Sequence, residues 1–194
     1  MVFPNDIPVL SYAAVQLLRD KDKNIINPYR IIAQAGAQEC MLSRYVDILI
    51  GGGSRGGAKS WSLVMEGLKD ISQPAFSGLI VRNERDDLTQ IIDYSLAMYS
   101  QYGTFNKSKD DRTWNFNAGG KLRFSYFNDS FEDFMKRFQG KQFNYIGIDE
   151  ITHIPYKKFK YLVTCNRNGM GLVSSRGSAR RPFHVHHPDT SSAQ

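Results

Sequence analysis

The chain has 194 residues, 41% of them apolar and 23% charged, which are the proportions of a globular protein with room for one ordinary core. No apolar run approaches the ~20 residues of a membrane span, the N-terminus lacks a signal-peptide layout, and two cysteines, Cys40 and Cys165, give no disulfide framework, so a reducing cytoplasm is expected. The net charge of +6 suits a polyanion partner, but part of it lies in the last 25 residues and alone it is a weak signal.

Residues 1–30 read as an N-terminal adaptor segment, with a short helix over Val9 to Leu18 and a polar break from Asp20 to Asn24 ahead of Asn27-Pro28. Gly36 to Ser43 then reads as a short helix. Within it Gln38 is either an ordinary surface residue or an amide that reads an adenine edge, because a carboxamide offers both donor and acceptor, as adenine does.

The stretch DILIGGGSRGGAKS, Asp47 to Ser60, carries the first piece of chemistry. An apolar β-prone run (Ile48, Leu49, Ile50) enters a loop holding Gly51, Gly52, Gly53, Gly56 and Gly57, and the loop ends in Ala58-Lys59-Ser60. WSLVMEGLKDI follows, with apolar residues at helical spacing. Strand, glycine-rich turn, Lys-Ser and helix make a phosphate-binding P-loop. Glycines let successive N–H groups point inward as an anion nest, and the helix N-terminus adds partial positive charge. Lys59 would reach the β- and γ-phosphates, and the Ser60 hydroxyl would ligate Mg²⁺. With Gly53 as the first position of G-x-x-x-x-G-K-[ST], Ala58 stands where the pattern has glycine. Alanine is acceptable there at negative φ. The competing reading is a flexible glycine loop before a surface lysine.

Further along, Gly78 to Asn83 reads as a buried strand and Glu84 to Tyr102 as a helix, with Leu88, Ile91, Ile92, Leu96 and Tyr99 on one face. Lys107 to Arg112 reads as a charged turn. Trp114 to Asn117 and Lys121 to Phe127, joined through Ala118-Gly119-Gly120, form a β-hairpin. Asp129 to Phe138 is an amphipathic helix whose stripe of Phe131, Phe134, Met135 and Phe138 is core. This alternation predicts an α/β fold, a mainly parallel central sheet flanked by helices with a β-hairpin insertion.

Phe143 to Glu150, FNYIGIDE, carries the second piece. An apolar strand ending in adjacent carboxylates is what a P-loop NTPase needs opposite its nucleotide. Asp149 would hold Mg²⁺, and Glu150 would orient and deprotonate the attacking water. A strand end with ordinary acidic residues is the competing reading, weakened by the Lys-Ser loop upstream.

Four stretches together resemble the ATPase domain of the terminase large subunit, the DNA-packaging motor of tailed phages. They are Gln34 to Glu39 with Leu42-Ser43, Asp47-Ile48 running into Gly52 to Ser60, Arg137 to Phe143, and Tyr145 to Thr152. The family places an arginine inside the phosphate loop, as Arg55 stands here, and accepts alanine before the lysine. The resemblance covers roughly residues 30–163. It implies an ASCE-type P-loop ATPase domain over residues 31–168, with Walker A and Walker B motifs and ATP and Mg²⁺ bound. Its cofactor-binding residues would be Gln38, Gly53, Gly56, Gly57, Ala58, Lys59 and Ser60, its metal ligands Ser60 and Asp149, and its catalytic residues Glu150, Lys59 and Arg55. Arg55 either contacts the γ-phosphate or pairs with a nearby carboxylate. The implied partners are double-stranded DNA, portal protein and small terminase subunit. The setting is a homo-oligomeric ring on the procapsid portal vertex in the host cytoplasm, with no membrane. Another P-loop ATPase acting on nucleic acid, or a nucleotide-binding fragment without turnover, are the alternative readings.

The chain departs from that family pattern in three places. The nuclease domain usual in that family is expected to be absent. Thr164-Cys165-Asn166 looks like the coupling motif, but Arg167 replaces its proline, and the spacing from Glu150 fits an intervening helix over Lys157 to Arg167 instead. Residues 169–194 lose the pattern and read as a disordered tail, in which His184, His186, His187 and Asp189 make no metal site. The expectation is a truncated or frame-shifted chain that lacks the last sheet strand and its coupling motif, with an unpaired edge left behind.

Overall fold

A computed structural model of the chain describes residues 31, 33–42, 48–51, 59–108, 112–167 and 183–186. Their elements run α1 (Ala37–Leu42), β1 (Ile48–Gly51), α2 (Lys59–Leu68), β2 (Ser77–Arg82), α3 (Leu88–Tyr99), β3 (Gly103–Lys107), β4 (Arg112–Phe116), β5 (Lys121–Tyr126), α4 (Phe131–Phe138), β6 (Tyr145–Ile148), a single 3₁₀ turn (Ile151–His153), α5 (Tyr156–Cys165) and β7 (Phe183–His186). The strands join one sheet in the order β1-β7-β6-β2-β5-β4-β3. The five strands from β1 to β5 in that order pair in parallel, and β4 and β3 complete the sheet antiparallel. The architecture is the α/β fold read from the sequence.

Alternation along the central strands divides the core in two. Leu79, Val81, Ile146 and Ile148 face α4 and α5, where they pack with Phe134, Phe138 and Leu162. Ile80 and Tyr145 face the opposite way, onto Leu63, Val64 and Leu68 of α2 and Ile91 and Tyr99 of α3. A strand covered on both faces has no polar side to show, hence the unbroken apolar runs of β2 and β6. On α4 the Ser130 Oγ accepts from Asp133 N–H at 3.1 Å as an N-cap, and Glu132 and Asp133 open a helix that Lys136 and Arg137 close, signs that suit its dipole.

Several expectations shift in position. The helix read from Glu84 starts at Leu88, after a turn, and ends at Tyr99. The hairpin strands β4 and β5 form as expected, but Gly103–Lys107 adds β3 outside β4, so the insertion has three strands. A Cβ on Gly103 would lie 2.4 Å from the Asn115 carbonyl oxygen, so glycine permits that pairing. Thr164 and Cys165 fall in α5, the intervening helix. The missing strand is the expectation that fails. Phe183–His186, inside a stretch read as patternless, is paired in parallel between β1 and β6. Four residues flanked by arginine, proline and histidine give little local signal, and the strand exists because two neighbours complete its hydrogen bonds. Among the described residues β1 and β3 form the two edges of the sheet.

Candidate active site

In an open parallel sheet the crevice beyond the carboxyl ends of the strands is where ligands bind, because loops and helix N-termini converge there. β1 and β6 point the same way with only β7 between them, so Gly51 at the end of β1 and the pair Asp149-Glu150 lie at one end of the sheet. Lys59 and Ser60 open α2, half-buried at its N-terminus. The Ser60 Oγ donates to the Asp149 Oδ2 at 2.8 Å. Residues 89 positions apart are thus in direct contact, and the two sequence motifs form one site.

Asp149 is 3% exposed and its N–H donates to the Val81 carbonyl at 2.9 Å, which continues the β2–β6 ladder by one residue. That register brings Arg82, the last residue of β2, alongside the acidic pair. Its Nη2 donates to Glu150 Oε1 at 3.0 Å, and its Nε lies 3.5 Å from Asp149 Oδ2. Burial opposes the Arg82 charge, but the Glu150 hydrogen bond and the negative charges of Asp149, Glu150 and Asp87 outweigh it and hold the guanidinium above its usual pKa. Glu150 sits at φ 56° and ψ 51°, the only non-glycine residue with positive φ among those described. A side chain in that region costs on the order of 1–2 kcal/mol. Arg82 on one carboxylate oxygen, and His153 Nδ1 at 3.5 Å from the other, fix the carboxylate while the backbone bends away from β6. Sequence reasoning missed Arg82 and His153. The signal for Arg82 is a cation closing the apolar run Gly78-Leu79-Ile80-Val81, but only strand order shows that it adjoins the acidic pair.

Two buried tyrosines seat α2. Tyr145 of β6 donates its hydroxyl to the Leu63 carbonyl at 2.7 Å, and Tyr99 of α3 donates to the Val64 carbonyl. Gly147 and Gly67 leave room, since a Cβ at either would fall 2.9 Å and 2.7 Å from those hydroxyl oxygens, respectively. The start of the helix, with Lys59 and Ser60, is thereby set against both the sheet and α3. Gln38 is buried, and its Oε1 accepts from Gln34 N–H at 2.6 Å, a contact inside its own segment. Gly53, Arg55, Gly56, Gly57 and Ala58 lie outside the described residues. Among the described residues no cluster of three or more His, Cys, Asp and Glu side chains could hold a metal by itself, and no helix is long and apolar enough to cross a membrane.

No protein-family model matches the chain, and no curated protein does. Solved structures do. The large terminase of the thermophilic bacteriophage D6E is similar at a TM-score of 0.55 and 17% identity, over 78% of this chain and 38% of that one. The Thermus phage P74-26 large terminase ATPase domain is similar at 0.55 and 11%, over 81% of this chain and 66% of that one. The fold is that of a large terminase ATPase domain. The D6E terminase in complex with ADP gives a TM-score of 0.53 at 16% identity. The chain spans about two fifths of the D6E terminase, 38% by coverage.

Proposed function

We propose that the chain is the ATP-hydrolysing subunit of a terminase-type motor, Mg²⁺-dependent and acting on double-stranded DNA. The observation that carries the reading is the Ser60–Asp149 contact, because it joins a Lys-Ser helix start to an Asp-Glu strand end across the sheet. The terminase ATPase fold and the ADP bound to the D6E protein support it. Ser60 and Asp149 fit Mg²⁺ in kind, a hydroxyl and a carboxylate whose hard oxygens already converge. When bound, the ion would neutralise charge on the β- and γ-phosphates.

The chain's own groups divide the remaining work. Lys59, with Gly53, Gly56, Gly57 and Ala58 ahead of it, would cradle the phosphates, and the N-terminus of α2 favours their charge. Glu150 would take a proton from the water whose oxygen bonds to the γ-phosphorus as the bond to the bridging oxygen of ADP breaks. Arg82 restrains Glu150 and supplies fixed positive charge at the acidic pair. Arg55 would contact the γ-phosphate, and Gln38 would serve the base if its segment opens. A homo-oligomeric ring with portal protein and small terminase subunit, working on procapsids in the infected cytoplasm, is the setting this reading implies. Residues 1–30 would then serve as the adaptor segment and 31–168 as the ATPase domain.

The test is steady-state ATP hydrolysis by the purified chain with Mg²⁺, beside Lys59→Ala. Turnover that requires both Mg²⁺ and Lys59 supports the reading. Turnover indifferent to Lys59 would refute it.

A further inference from the structure

Charge is distributed along this chain in a way its total conceals. Residues 1–150 contain 18 Lys and Arg against 18 Asp and Glu, and residues 151–194 contain seven against one, so the entire net charge lies beyond Glu150. From Ile151 to Pro188 there is no acidic residue. The first α-helix of that segment is α5.

The helix separates its residues by exposure. Lys158, Leu162 and Cys165 are buried, whereas Tyr156, Lys157, Lys160, Val163 and Thr164 are exposed. At 3.6 residues per turn those five fall within an arc of roughly 120°. Arg167, just past the helix and also exposed, donates its Nε to the Thr164 carbonyl at 2.8 Å, which returns its guanidinium to the same side. Lys157 holds its ammonium 4.2 Å from the centroid of the Phe131 ring. Tyr156, 75% exposed, offers a hydroxyl one turn from Lys160. An ordinary solvated helix face interleaves both signs; this one carries cations and hydroxyls around a single valine, with no acidic group. Those are the groups that contact phosphate and sugar in duplexes, where they supply affinity without reading sequence. The face is anchored. Below it Lys158 donates to the Phe127 carbonyl at 2.6 Å and also bonds the Asp129 carbonyl.

We propose that the outer face of α5, through Lys160, Arg167 and Lys157, is a contact surface for the phosphate backbone of duplex DNA. The choice of duplex DNA over an acidic protein rests on the function proposed above. The placement also has a consequence for that function, since α5 begins six residues after Glu150, joined to it by one 3₁₀ turn.

The experiment measures equilibrium binding of a fluorescent random-sequence duplex to the full chain, as a function of salt. Lys160→Gln with Arg167→Gln is compared with an equal charge change elsewhere, Lys107→Gln with Lys121→Gln, both exposed on β3 and β5. None of these side chains belongs to the active site. Each lost phosphate contact lowers the slope of log affinity against log salt by about 0.9, so the α5 variant should be shallower by about 2 and bind several-fold to about tenfold more weakly at low salt. The control pair should keep the wild-type slope. Equal effects in both pairs, no effect of the α5 pair, or no duplex binding by the wild type at low salt would each overturn the proposal; the last would favour an acidic protein as occupant. Hydrolysis is measured separately, so duplex binding without turnover keeps the surface and removes the ATPase reading, and turnover without duplex binding does the reverse.

Discussion

The Ser60 hydroxyl donates to the Asp149 carboxylate at 2.8 Å, and neither group belongs to the hydrophobic packing around it. The contact ties the start of α2 to the end of β6, and under the proposed function the same two oxygens would serve Mg²⁺. A single neutral-to-charged hydrogen bond of this kind contributes roughly 1.5–3 kcal/mol. Ser60→Ala should therefore cost at most that in stability, while turnover should fall by about two orders of magnitude, a loss comparable to removing one charge-stabilising group. Raising Mg²⁺ should recover part of it. Magnesium titrations of hydrolysis, with urea melts as the stability control, check both halves.

Arg82 is positioned by two carboxylates and serves both. Arg82→Ala strips a partly buried pair of its cation, at a cost of about 1–3 kcal/mol, moderated by the 31% exposure of the Glu150 side chain. The Glu150 carboxylate then keeps only the weaker His153 contact at 3.5 Å, and turnover should drop further than the stability loss explains. Arg82→Lys keeps the charge but cannot reach Asp149 and Glu150 in one planar fork, so an intermediate rate is expected. The readouts are urea denaturation and kcat on the same three proteins.

Gly67→Ala tests how α2 is seated. Alanine gains about 1 kcal/mol of helix propensity over glycine, and overpacking costs about 1–3 kcal/mol. The atom in the way is the Tyr99 hydroxyl, 2.7 Å from the new methyl and already bonded to the Val64 carbonyl, so it is not free to swing aside. Overpacking should win. Thermal melts should show a lower Tm, and Gly67→Ala combined with Tyr99→Phe should recover most of it.

Tyr99 also sets an alkaline limit. Burial, and then the nearby Glu66 charge, hold its phenol well above its usual pKa of 10.0. The raised folded value means that the native state keeps a proton that the unfolded chain releases. Stability is therefore complete below about pH 10 and falls as pH rises beyond it. Tyr99→Phe should lose about 1 kcal/mol at neutral pH with the Val64 hydrogen bond, yet show a flatter decline above pH 10. Denaturation series across that range, followed by tyrosinate absorbance, would detect the crossing.

The parts of the site that the sequence reveals are those that depend on local order. Ile48-Leu49-Ile50 before glycines and Lys59-Ser60, and Tyr145 to Ile148 before Asp149-Glu150, are each a strand and its exit, legible within a dozen residues. Arg82 is not legible in that way, because its meaning depends on β2 lying beside β6. The three-stranded insertion was half visible. Trp114 and Leu122 alternate with polar residues, whereas Gly103-Thr104-Phe105-Asn106-Lys107 has one large apolar residue and becomes β3 only by pairing with β4. Phe183–His186 is the extreme case, a strand whose neighbours supply the reason for it. The start of α3 moved from Glu84 to Leu88 because the Glu84–Asp87 stretch turns back, and the Arg82 Nη1 donates to the Asp87 carbonyl at 2.9 Å there.

The decisive comparison is between ATP binding and ATP hydrolysis in Glu150→Gln. Glutamine nearly keeps the shape of the side chain and can still accept from Arg82, but it cannot take a proton from water. If Glu150 is the base at a site formed by Lys59, Ser60 and Asp149, ATP affinity should stay within a few-fold of wild type. Hydrolysis should then fall by about two to four orders of magnitude. Hydrolysis that survives the substitution, or ATP binding that vanishes with it, would contradict that assignment.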